Sequence, residues 1–207
     1  MAVLIGQPSH NGHAVAGTAR VAAPVAEQPA PASATPTLPS QSAPTLPSQS
    51  APTLPSQSAQ QGAAEGLAGL LAQSAADRSS IVNAARSVSR CGPTLSQAPQ
   101  VFESAAEARQ RLLSQLASLP GRSALSGQML QALTSAWLAS ATADRDFAQW
   151  AQDELSQGCP RNDQGDPSFQ AAAGPDDQAT AGKKAFVSLW NPMAARYGLP
   201  SYRWNQL

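Results

Sequence analysis

The sequence predicts an all-α protein: an up-down-up-down four-helix bundle preceded by a disordered, proline-rich segment. Three observations carry this reading. Composition changes near residue 62: the first 62 residues hold ten of the 18 prolines, two formal charges (Arg20 and Glu27) and none of the Trp, Tyr or Phe residues. Beyond that point apolar residues recur three or four positions apart over long stretches, the spacing that lines one face of a helix. No alternating apolar run in 63–207 reads as a strand. That region is an ordinary length for one domain with one core.

Residues 1–62 offer too little apolar surface to offset the entropy of ordering them. His10 and His13 lie there as H-x-x-H, but two ligands without a rigid frame make a poor metal site. Residues 35–58 repeat with a period of eight: TPTLPSQS, then APTLPSQS twice. Two prolines per repeat fix φ, remove backbone donors and favour polyproline II, which gives a semi-rigid tether.

The first helix is expected over 63–90, with Leu67, Leu70, Leu71, Ser74, Arg78, Ile81, Val82, Ala85 and Val88 on one face. Cys91-Gly92-Pro93 stops it, since Gly suits a left-handed cap and Pro cannot continue a helix. The second is expected over 97–119, with Phe102, Ala106, Arg109, Leu113 and Leu116 inward and Pro99 tolerated in the first turn. Pro120-Gly121 ends it.

The third and longest runs through 123–159 with Ser123 as its N-cap. Its stripe is Met129, Leu133, Ala136, Trp137, Ser140, Asp144, Phe147, Ala151 and Leu155. A loop with at most a short turn is expected over 160–176. Asn162-Asp163-Gln164-Gly165-Asp166 faintly resembles calcium ligands but lacks the closing Glu of that pattern. The fourth helix spans 177–197, with Phe186, Trp190 and Tyr197 on one side and a kink or break at Asn191-Pro192. The tail from Ser201 carries Tyr202 and Trp204 back onto the bundle. Short connections at 91–96 and 120–123 make neighbouring helices antiparallel.

The charge balance excludes some classes. Lys plus Arg number 13 and Asp plus Glu 13, and no basic run exceeds Lys183-Lys184, so the footprint of a nucleic-acid binder is missing. No stretch approaches about 18 consecutive apolar residues, so no membrane span is expected. Met1 to Ile5 is apolar but lacks the preceding cation of a signal peptide.

Up-down-up-down topology brings Cys91, after the first helix, and Cys159, after the third, to the same end. A structural disulfide between them is expected, and with it an oxidising compartment. Zinc is not expected, because there is no paired C-x-x-C and no histidine in 63–207. The absence of histidine also argues against a catalytic thiol.

Arg78, Arg109 and Asp144 fall on inward faces at one level, about 18–20 Å from the cysteine end at 1.5 Å per residue. Three readings follow: a structural cluster in which Asp144 bridges the arginines, with Glu103 or Glu107 adding charge; an anion site fed by the unmatched cation; or long side chains that reach solvent and never meet.

The stretches IVNAARSVSRC, SAWLASATADRDFAQWA with Cys159, and KKAFVSLWNPMAARYGLP resemble uncharacterised actinobacterial envelope proteins. The resemblance spans about residues 63–207. It implies an N-terminal membrane helix, an Ala/Pro-rich linker and a two-cysteine helical domain. This chain lacks the membrane helix, so membrane association is expected only through an anchor upstream of Met1. The resemblance implies no catalytic residues.

The sequence shows no nucleophile elbow, phosphate-binding loop or metal cluster. The expectation is a non-enzymatic domain without cofactor, on a proline-rich tether, binding a protein partner or envelope component outside the cytoplasm. A ligand-sensing bundle with an internal anion site is the alternative. Without export, the same chain would be soluble and cytoplasmic.

Overall fold

The computed structural model describes residues 57–160 and 163–207, so all but the last two residues of the repeats over 35–58, and most of the expected tether, lie outside the described residues. Five helices form the four-helix bundle, because the first arm is broken once: α1 Gln57–Ala76, α2 Arg78–Ser89, α3 Ala98–Ala117, α4 Gly127–Ser156 and α5 Pro167–Arg196. Short 3₁₀ turns occupy Leu95–Gln97, Arg122–Ala124, Asp163–Gly165 and Trp204–Gln206. No strand occurs among the described residues, and no helix among them is long and apolar enough to cross a membrane.

α1 starts at Gln57, six residues before the expected 63. Its first turns are tied down by Gln60, whose Nε2 donates to the Ala124 carbonyl at 3.2 Å while its Oε1 accepts from the Tyr197 hydroxyl at 2.6 Å. The expected single helix over 63–90 bends at Asp77. That residue keeps helical dihedrals (φ −80, ψ −13), and α2 resumes at Arg78.

α3 matches its expected span to within two residues at each end. The N-cap of α4 is Ser126, not Ser123: its hydroxyl accepts from the Met129 N–H at 3.4 Å, and Ser123 is spent in the preceding 3₁₀ turn.

α5 departs most from expectation. It begins ten residues before 177 and continues through both Pro175 and Pro192. Asp166 caps it, accepting from Ser168 N–H at 2.8 Å and Phe169 N–H at 2.9 Å, with Pro167 at the first helical position. Each internal proline leaves a carbonyl four residues earlier without its donor. These carbonyls belong to Ala171 and Ser188, both exposed residues, where solvent can take the place of the missing donor. Asn191, expected at a break, instead pins the tail: its Nδ2 donates to Tyr202 O at 2.9 Å and its Oδ1 accepts from Tyr202 N–H at 3.0 Å. Trp190 Nε1 donates to Pro200 O at 2.9 Å, and Leu207 is fully buried. The tail therefore folds back as expected.

The apolar core comes in two halves. One joins Leu67 and Leu71 of α1 to Leu112 and Leu116 of α3, Leu133 and Trp137 of α4, and Phe186 and Trp190 of α5. The other joins Ile81 and Val88 of α2 to Phe102 of α3, Trp150 of α4 and Phe169 of α5. Each half takes opposite ends of successive arms, which is the up-down-up-down order. Phe147 bridges Phe102, Trp150 and Phe169 at ring-centroid distances of 5.6, 6.0 and 6.3 Å.

α4 and α5 pack tightly at Gly182. A Cβ there would sit 3.0 Å from Ala136 Cβ and 3.1 Å from the Ala132 carbonyl oxygen. Gly182→Leu is expected to destabilise the fold by about 1–3 kcal/mol through overpacking, read as a lower urea midpoint. An unchanged midpoint would mean that the two helices separate freely at this level.

Candidate functional site

Between the two apolar halves lies a layer of polar and charged side chains, contributed by every arm of the bundle. Ser74, Asp77 and Arg78 come from the α1–α2 bend, Arg109 from α3, Ser140 and Asp144 from α4, and Asp176 and Lys183 from α5. Arg109 is 1% exposed, Asp144 6% and Lys183 8%, while Arg78, Asp77 and Asp176 are half-buried. The sequence reading placed Arg78, Arg109 and Asp144 at one level; in the fold the charges of Arg109, Lys183 and Arg78 all act on the Asp144 carboxyl.

The layer is not a salt-bridge cluster. Arg109 and Asp144 form no ion pair within 4.0 Å; among the described residues the ion pair that meets this distance is Arg111–Glu107, exposed, at 3.4 Å. The expectation that Asp144 bridges the arginines is thus corrected, and so is the supporting role given to Glu103 and Glu107, which face solvent. Nε and Nη1 of Arg109, Oδ2 of Asp144 and Oγ of Ser140 are buried without a protein hydrogen-bond partner. Trp137 Nε1, by contrast, donates to Ser74 Oγ at 3.3 Å.

Burial governs the titration of these groups. It pushes the Asp144 carboxyl up to about 6, against the pull of Arg109, Lys183 and Arg78. It pushes the Lys183 ammonium down to about 8, helped by Arg78 and Arg109. Arg109 is likewise lowered by burial, against the favourable fields of Asp144 and Asp77. Asp176 is raised, again by burial first. Burial outweighs Coulomb attraction at each site, as expected for charges that are near one another but not in contact.

Sequence reasoning missed Lys183 and Asp176. Lys183 stands three before Phe186 and seven before Trp190, so helical spacing already put it on the inward face. Asp176 was hidden because Pro175 argued for a loop.

At the far end of the second apolar half, Cys91 and Cys159 are joined, with Cα atoms 5.9 Å apart, as expected. Both cysteines have left-handed backbone (φ 50 and 60). At the end of α2 the cap position assigned to Gly92 belongs to Cys91: its N–H donates to Val88 O at 3.1 Å, and the Gly92 N–H donates to Ser87 O at 2.7 Å. Leu155, expected inward, is 37% exposed; Glu154, 2% exposed, takes the inward place beside the sulfurs. The weak calcium pattern resolves otherwise. Asp166 is the α5 cap, and Asn162 lies outside the described residues.

An open groove of about 670 Å³ runs between α2 and α3. Its apolar floor is Ile81, Val101, Ala105 and Ala108, and Asp77, Gln100 and Arg111 line its edges.

Comparison of the chain with protein-family models, with curated proteins and with solved structures finds no match.

Proposed function

We propose that the helical domain is a non-catalytic binding module that works outside the cytoplasm, carried on the proline-rich segment, and engages a protein partner or envelope component. The observation that carries this reading is the Cys91–Cys159 bond. It joins the ends of two arms, 68 residues apart in sequence, and such structural bonds persist in oxidising compartments. A rigid helical module with an open groove suits binding. The domain's lack of histidine and the burial of Asp144 away from the groove argue against catalysis. Thiol alkylation of the chain recovered from its native cells tests the compartment. Both cysteines are expected to resist alkylation until a reductant is added; two freely alkylated thiols in intact cells would overturn the reading.

The mid-bundle layer favours a second reading, in which the bundle senses a small anion. Lys183 adds a third cation to Arg78 and Arg109, and Arg109 has two unpartnered nitrogens. Phosphate or a small carboxylate is then expected to raise the melting temperature of the wild type and not of Arg78→Gln. Equal shifts in both, or none, would remove this reading.

A further inference from the structure

We propose that the chain with its cysteines reduced binds one thiophilic divalent cation of the zinc class through Cys91, Cys159 and Glu154. The inference goes beyond the extracytoplasmic reading and concerns the dithiol state in which any such chain is first made. The sulfurs of Cys91 and Cys159 and a carboxylate oxygen of Glu154 all lie within 4.8 Å of one another. In a tetrahedral site with Zn–S near 2.3 Å and Zn–O near 2.1 Å, ligand atoms stand about 3.5–3.8 Å apart. Small side-chain rotations bring the carboxylate to that spacing and separate the two sulfurs once their bond is broken.

The frame that holds these ligands does not depend on the sulfur–sulfur bond alone. Cys159 N–H donates to the Glu154 carbonyl at 2.7 Å, which closes the α4 cap and fixes those two ligands relative to each other. Cys91 is held by the equivalent cap of α2. Helices α2 and α4 both point their C-terminal ends here, and the negative ends of their dipoles favour a cation. Glu154, at 2% exposure, holds its carboxylate beside the two sulfurs. Two thiolates and one carboxylate select zinc-like ions over calcium or magnesium, which prefer all-oxygen sites, and leave a fourth position for water.

The chemistry balances. A dithiol reductant donates two electrons to the Cys91–Cys159 bond and becomes a cyclic disulfide, leaving two protein thiols. The metal then displaces one proton from each thiol as it binds. The disulfide and the metal thiolates use the same two sulfurs, so the states exclude each other. The spacing of the two cysteines gives no sign of this set, because its third ligand is a glutamate from the last turn of α4.

The full chain is reduced with a dithiol, desalted under argon and titrated with Zn²⁺ and with Co²⁺ as a spectroscopic substitute. One equivalent is expected to bind, with a thiolate-to-cobalt charge-transfer band. Zn²⁺ is expected to raise the melting temperature of the reduced chain and leave that of the oxidised chain unchanged. Glu154→Gln should weaken binding at least tenfold while keeping the thiolate band, and Cys91→Ser should abolish the band. Far-UV circular dichroism of each variant reports folding: a reduced chain that gains helicity with Zn²⁺ supports the site, and one that stays unfolded with Zn²⁺ overturns it. Absence of uptake, or equal affinity in the wild type and Glu154→Gln, would also overturn it, the latter showing adventitious dithiol chelation only.

Discussion

Breaking the Cys91–Cys159 bond, by reduction or by Cys91→Ser with Cys159→Ser, is expected to cost about 4 kcal/mol of folding stability. The bond spans a sequence separation of 68 residues, and a closed loop of that length removes substantial entropy from the unfolded chain. It also ties the end of α2 to the end of α4, two helices that otherwise touch little. α2 is only 12 residues long, and an open groove separates part of it from α3. Loss of the bond should therefore be felt first in the half of the core around Ile81, Val88 and Phe102. Urea unfolding of oxidised and reduced chains, made without added metal, measures the effect. A difference below about 1 kcal/mol would mean that the two helix caps hold this end of the bundle unaided.

The second large effect concerns pH. The folded-state pKa of Asp144 is raised from 3.8 to about 6. A carboxyl raised on folding contributes stability that is fully present below its unfolded pKa and lost as pH rises through the folded one. Two units correspond to about 3 kcal/mol, at order-of-magnitude precision. Relative to Asp144→Asn, the wild type should thus lose about 2–3 kcal/mol between pH 4 and pH 7. Lys183, lowered from 10.5 to about 8, acts in a separate window: its stability is present above about 10.5 and lost as pH falls through 8. A difference between wild type and Asp144→Asn that stays flat over pH 4–7 would mean that Asp144 is solvated or paired.

The fold class and arm order were legible because helical spacing is a local signal and short connections leave little topological choice. Arg109 and Asp144 were legible for the same reason: a charge inside an apolar stripe stands out. What escaped the sequence was decided by tertiary contacts. The α1 start at Gln57 depends on Ala124 and Tyr197, both distant in sequence. The passage of α5 through Pro175 and Pro192 depends on which side of the helix meets water. Glu154 displaced Leu155 from the inward place because α4 has 3.6 residues per turn, and a stripe counted in threes and fours drifts by one position over seven turns. Whether the charges would pair could not be read from spacing at all, since level and face do not fix a distance of 4 Å.

The central claim is that the bundle core is divided by a layer of buried charges that do not pair with one another. The most direct test is the titration of the Asp144 carboxyl by NMR in the oxidised full chain, assigned by comparison with Asp144→Asn. The account predicts a midpoint about two units above the ordinary carboxylate value, near 6. A midpoint at or below 3.8 would show that Asp144 is held as a carboxylate by a direct cationic partner, and would contradict it.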